Sequence, residues 1–273
     1  MRATILIDNI PSQDLAAEWG LSVYIEYNGH VFLLDTGASS AFADNADALG
    51  LDLSKVEYGA LSHAHYDHAD GMDTFFARNA SAPFYLRKGC DEGCYGSADT
   101  DPDGYHYIGI KKGLLKTYAD RIRYAEGKVC LIPNVYLIPH STPGLEACGE
   151  AGKLYWTDGK TMRPDDFRHE QSLIFDTDQG LVLFNSCCHS GADVVVQEAI
   201  DAFPGRPIDA IVGGFHLYQT PPEEVLAFAK RLEQTGVRHI VTGHCTGQPA
   251  FDLLKQSLGD RVQQLHTGLV LEF

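Results

Sequence analysis

The stretch Ser62-His63-Ala64-His65-Tyr66-Asp67-His68-Ala69-Asp70-Gly71 puts three imidazoles and a carboxylate within six positions of a chain that has only 12 histidines in 273 residues. Imidazole nitrogen and carboxylate oxygen are ordinary donors to divalent metals. The residues just before it, Val56 to Leu61, read as a short buried strand, and a chain leaving a strand still extended points alternate side chains the same way. His63 and His65 then converge on one point. If the backbone next turns into the helix suggested by Ala69 to Ala77, Asp67 and His68 swing toward a second point nearby. One short loop would thus serve two metal ions. The bland alternative is a solvated turn, but crowded neutral imidazoles need partners, and a metal is the simplest.

The elements that must carry this loop are legible as short apolar stretches. Ile5 to Ile7, Ser22 to Tyr27 and Val31 to Leu34, separated by turn residues such as Asn28-Gly29, predict an antiparallel opening to a sheet. The third of these runs into Asp35-Thr36-Gly37 and an alanine-rich helix from about Ser40 to Leu49. Phe84 to Arg87 predicts a further strand. Residues 88–113, rich in glycine and acidic residues, fit neither helix nor strand, and Tyr95, Tyr105, His106 and Tyr107 make them either a lid over a ligand or a solvated loop. Ile122 to Ala125, Val129 to Ile132 and Val135 to Ile138 predict strands that open a second half of the fold. Glu170 to Phe175 pairs through the Asp178-Gln179-Gly180 turn with Leu181 to Asn185. Ile208 to Val212 and His239 to Thr242 are two more strands, with a helix from Pro221 between them whose Val225, Phe228, Ala229 and Leu232 share one face.

The pattern His63-x-His65-x-Asp67-His68 resembles the signature of the metallo-β-lactamase superfamily. Matches farther along narrow the resemblance to a branch of metal-dependent hydrolases that includes the archaeal synthase of a ribofuranosyl-aminobenzene-phosphate pterin, a methanopterin precursor. The resemblance implies an α/β fold, a four-layer αββα sandwich with metals at one edge, formed by a single domain over residues 1–273. Ser186-Cys187-Cys188-His189-Ser190-Gly191 is similar to the branch's Gly-Cys-Ser-His-x-Gly, and Gly243-His244-Cys245-Thr246-Gly247 to its His-Cys-Thr-Gly. It implies His63, His65 and His189 around one ion and Asp67, His68 and His244 around the other. Cys187 is either a further ligand, whose thiolate would favour zinc, or a packing thiol. Asp35 stands where the superfamily has an aspartate that supports the metal loop, and a turn-forming role is compatible with that. In many members a histidine follows Thr-Pro-Gly; here Leu145 stands there, and His140 replaces it only if the register shifts. The Gly-Glu-Ile-Pro-Arg segment of the nearer relatives is also missing.

The implied cofactors are two divalent ions, zinc first, with manganese, iron or magnesium as alternatives. A paired-metal site lowers the pKa of a shared water and stabilises an anionic transition state. The expected activity is hydrolysis of a small ester, lactone or phosphate-type substrate by a metal-bound hydroxide, with Asp67 and His216 as the catalytic residues. His216, in Gly213-Gly214-Phe215-His216-Leu217, is either a proton donor lining the pocket or a structural histidine. The alternatives are a transferase joining a pterin to an aminobenzene ribofuranosyl phosphate and a non-catalytic metal or ligand sensor.

Composition narrows the partners. A formal charge of −16, with 21 Lys and Arg thinly spread, argues against a nucleic-acid groove and an anionic membrane surface. The apolar run at the N-terminus breaks at Asp8, too early for a signal-peptide core, and no later run approaches a membrane span. Seven cysteines, two of them adjacent, suit free thiols in a reducing cytoplasm better than a disulfide framework. Cys90 and Cys94 alone make a weak metal or redox motif. The expected partner is a small-molecule substrate.

Overall fold

In the strand His30–Leu34, Phe32 and Leu34 pack with Ile5, Val23 and Ile25, whereas Leu33 between them packs with Phe42, Phe75 and Phe84 on the other face. The strand Gly180–Phe184 divides in the same way, Val182 and Phe184 facing the first cluster and Leu181 and Leu183 facing Val195 and Phe228. This is the period-two alternation of a strand, here apolar on both faces. Sheets of that kind need a layer on each side. The computed structural model, which describes residues 1–12, 14–98 and 104–273, supplies it.

Two seven-stranded sheets face each other. The first runs Val270–Glu272, Arg2–Ile7, Ser22–Tyr27, His30–Leu34, Tyr58–Ala60, Phe84–Arg87, Ile122–Ala125. The second runs Val262–Gln264, His239–Thr242, Ile208–Gly213, Gly180–Phe184, Gln171–Thr177, Val135–Pro139, Val129–Ile132. Between them, Phe175 meets Tyr27 and Phe32 edge-on, both at a centroid distance of 5.3 Å. Burying such a ring contributes about 1.5–3 kcal/mol. Helices Ala41–Ala48 and Met72–Arg78 cover the outer face of the first sheet; Ala192–Ala202, Pro222–Gln234 and Gln248–Leu258 cover that of the second. The architecture is the expected αββα sandwich. Among the described residues, no helix is long and apolar enough to cross a membrane.

Two expectations about elements change. Ile122–Ala125 does not open the second sheet but pairs in parallel with Phe84–Arg87 at the edge of the first. The intervening chain, with the helical turn Leu114–Thr117, acts as the crossover that a parallel pair requires. Residues 88–113 are not wholly loop either: Cys94–Ser97 and Tyr105–Tyr107 pair with each other, and Cys94–Ser97 pairs with Leu154–Thr157, in a small four-stranded sheet completed by Met162–Pro164. Pairing with a segment about sixty residues away overrides the poor local propensity of the glycine-rich stretch. Residues 99–103 of the expected lid lie outside the described residues.

Candidate metal centre

The strands His30–Leu34 and Tyr58–Ala60 are parallel, as are Gly180–Phe184, Ile208–Gly213 and His239–Thr242. Parallel neighbours end on the same edge, so their following loops must meet. Those loops carry Asp35, the His63–His68 segment, Cys187 with His189, His216 and His244. The two sheets are tied at this edge by Gln171, whose backbone N–H donates to Ser62 O and whose amide donates to Leu61 O and Tyr85 O.

The imidazole centroids of His63, His65 and His189 lie 4.5 to 4.9 Å apart. Beside them, His68 Nε2 is 3.3 Å from Asp67 Oδ2 and 3.3 Å from Cys187 Sγ, and His244 Nε2 is 3.5 Å from the same Asp67 oxygen. Two donor groups emerge, His63/Cys187/His189 and His68/Cys187/His244, each with its ligand atoms within 4.8 Å of one another. Cys187 belongs to both, on the boundary between them. The structure thus places residues from three distant segments in these two groups, with His65 beside His63 and His189 and Asp67 beside His68 and His244. His216 lies at the rim, its ring 4.4 Å from that of His189.

Whether a metal fits is answered by the donor atoms themselves. The Nε2 atoms of His63, His65, His189 and His244 are buried without a hydrogen-bond partner, as are Nδ1 of His189, His216 and His244. Leaving a buried polar atom unpaired costs about 1–3 kcal/mol, and a cation at their focus would satisfy several at once. Burial, reinforced by neighbouring imidazoles, holds His63 and His189 well below the ordinary histidine value, and burial brings His65 down to about 3. All three are neutral near pH 7, the form that binds metal. Burial pushes the Asp67 carboxyl up, but His68 and His244 outweigh it and hold it well below the usual range. Burial also opposes charge on His68, yet Asp67 and Asp35 raise it to about 10. Without metal, that imidazole carries the proton that an ion would replace. Burial pushes the Cys187 thiol well up, so its thiolate needs a cation beside it. The residues fit: His63, His65 and His189 could hold one ion, and Asp67, His68 and His244 a second, with Cys187 between. Divalent ions held there would supply Lewis acidity and an activated water at neutral pH.

Supporting residues fix this geometry. Asp35 accepts the Ser62 N–H at 2.6 Å, the hydroxyls of Ser62 and Ser186 at 2.6 and 2.5 Å, and His68 Nδ1 at 2.8 Å. It orients His68 so that Nε2 faces Asp67 and Cys187. His63 Nδ1 lies 2.8 Å from Ser62 Oγ, leaving Nε2 free. Phe167 stacks on His189 at 4.9 Å with the planes 4° apart. Among the described residues, eight non-glycine residues have positive φ, and Asp35, Phe167, Cys188, His216 and His244 of these carry or flank site groups. Such strain collects where surrounding structure holds a functional geometry.

Further supports come from across the fold. His169 Nδ1 accepts the N–H of Ala64, the residue between His63 and His65, at 3.1 Å, and its Nε2 meets Asp165 Oδ2 at 2.9 Å. Both nitrogens are thus engaged and brace the backbone between His63 and His65, although His65, Cys94, Asp165 and His169 also offer donor atoms within 4.8 Å of one another. Glu170 accepts from His140 at 2.9 Å and from the His189 N–H at 3.4 Å. His140 reaches Glu198 with its other nitrogen at 2.8 Å and takes no part in the donor groups. The missing mid-chain histidine is not replaced by a shift in register at His140.

A sandwich with imidazoles from successive strand ends converging at one edge defines a class, and the model of the metallo-β-lactamase superfamily matches residues 20–145 of this chain. Among particular proteins, it is similar to a 7,8-dihydropterin-6-methyl-4-(β-D-ribofuranosyl)-aminobenzene-5′-phosphate synthase of Methanocaldococcus jannaschii, with 24% identity over 98% of each chain. It is also similar to the crystal structure of a metal-dependent hydrolase of the β-lactamase superfamily, with a TM-score of 0.84 and 28% identity over 100% of this chain and 99% of the other. A diphosphatase of the PhnP family shares the fold at a TM-score of 0.53 and 16% identity, over 100% and 97% of the two chains.

Proposed function

We propose that the protein is a metal-dependent hydrolase that uses two divalent ions to cleave a small ester, lactone or phosphate-type substrate. The observation that carries the reading is the convergence of buried, unpartnered imidazole nitrogens from the loops at 63–68, 187–189 and 244 around Asp67 and Cys187. Zinc is the favoured ion, because a thiolate in the donor set suits it better than harder metals. The centre opens into a cavity of about 430 Å³ lined by His65, Asp67, His189, His216 and His244, a size for a small molecule. Asp67 acts through the metal it holds, and His216, with a buried unpaired Nδ1, delivers the proton to the leaving group. The seven cysteines are all free, which fits a reducing cytoplasm.

A second reading, a transferase joining a pterin to an aminobenzene ribofuranosyl phosphate, draws support from the name of the methanogen relative. It also draws on a second cavity of about 620 Å³, which shares His189 and His216 with the first and gives room for a co-substrate. The absence of the Gly-Glu-Ile-Pro-Arg segment weighs against it. Screening the zinc-loaded protein against lactones, thioesters, phosphodiesters and phosphonates tests the hydrolase. Turnover abolished by a chelator and restored by zinc is the expected result; no turnover on any class, together with condensation of the two pterin-pathway substrates, would replace it with the transferase.

A further inference from the structure

Large aromatic side chains at a surface call for explanation when they gather in one place. Trp19, Tyr66 and Tyr218 are 42%, 39% and 44% exposed, among only six large hydrophobics exposed to this degree in the described residues. All three line the cavity above the metal centre. Trp19 meets Tyr218 edge-on at 5.6 Å and tilts over His244 at 5.2 Å, and Tyr218 stands perpendicular to His216 at 5.3 Å. Tyr66 sits between His65 and Asp67 in the metal loop. The collar is built on anchored backbone. The Glu18 carboxylate beside Trp19 accepts the Ala38 N–H at 2.9 Å and the Ser39 hydroxyl at 2.5 Å, and the Tyr66 N–H donates to Ile108 O at 2.9 Å. The facing wall, from the small sheet, presents Gly96 and Leu154. A methyl group at Gly96 would meet the His106 ring at 2.8 Å, so the glycine keeps that wall flat.

We infer that this collar selects substrates in which a planar aromatic ring is attached to the group presented to the metals. The inference rests on the metal-site reading above. A rim for a protein partner would be flat or convex; these rings surround a concavity whose floor is made of metal donors. Trp and Tyr offer rigid faces at little entropic cost, and ring-on-ring contact adds to simple burial.

The probes are phenylphosphonate, cyclohexylphosphonate and methylphosphonate, binding to the zinc-loaded protein followed by tryptophan fluorescence and calorimetry. Of the two tryptophans, Trp156 is buried and bonded to Asp91, so Trp19 should carry the signal. Phenylphosphonate should bind about tenfold or more tighter than methylphosphonate and clearly tighter than the equally bulky cyclohexyl compound, with quenching of Trp19. Trp19→Ser should bring the calorimetric affinity for phenylphosphonate down about tenfold, toward that for methylphosphonate. Equal, zinc-dependent binding of all three by the unaltered protein would overturn the collar and leave the metal reading standing. Absence of zinc-dependent binding for all three would overturn both.

Discussion

Asp35 and His68 carry the account at the level of single residues. Because His68 is held at about 10 before metal arrives, filling its site must expel a proton. The sign follows: below pH 10 the proton competes with the ion, so affinity rises with pH across the neutral range. Calorimetric zinc titration at pH 7.5 in buffers of different ionisation enthalpy should report net proton release, from His68 and from the Cys187 thiol where it joins the ion; no release would mean His68 is not a ligand. Asp35→Ala removes the partner that aims His68 and should weaken metal binding about 10- to 100-fold, the usual scale for such supports. His63→Ala should lose metal and activity together by elemental analysis and assay, whereas Cys187→Ser should change metal preference more than fold. The His63–His68 cluster was legible as a dense motif at a strand end, whereas Cys187, His189 and His244 were pointed to by the resemblance of their motifs. His169, held by Asp165, and Phe167 were not legible, since they act through contacts across the fold with Ala64 and His189 that no local pattern encodes.

Between strands, the design depends on close backbone approach and on buried charge. Gly214 lies where a Cβ would come within 2.5 Å of Cys245 Sγ and 2.9 Å of Ser186 O, and Gly213 has a φ of 149° with Asn185 O 1.9 Å from an added Cβ. Gly214→Ala should therefore disturb the loops of both Cys187 and His244 and lower metal content, as elemental analysis would reveal. His140 joins the end of Val135–Pro139 to the start of Gln171–Thr177 through Glu170 and to helix Ala192–Ala202 through Glu198. Burial disfavours its charge, but Glu170 and Glu198 raise it to about 10. A raised value means the stabilisation is complete below the unfolded value of about 6.5 and disappears as pH climbs through about 10. Denaturant midpoints should fall over that window, and His140→Gln should flatten the fall; an unchanged profile would remove the triad from the account. The short strands were readable as apolar stretches bounded by turn residues, but the sheet joined by Ile122–Ala125 and the pairing of Cys94–Ser97 were not, because pairing partners are fixed by crossovers and distant segments.

Across the whole molecule, the inner core couples the halves that meet at the metal edge. Phe184 lies between the sheets, in contact with Phe175 at 5.8 Å, in the strand that leads into Cys187 and His189. Phe184→Ala should cost about 3–5 kcal/mol in urea unfolding and reduce metal affinity as well, since one strand serves both. Bound metal should in turn raise the unfolding midpoint in proportion to the logarithm of its concentration. The most direct measurement is anomalous diffraction from crystals grown with zinc. The account predicts two peaks, one within His63, His65 and His189 and one within Asp67, His68 and His244, with Cys187 Sγ between them. A cradle that stays dark under saturating zinc, or a lone peak at Cys94, Asp165 and His169, would contradict it.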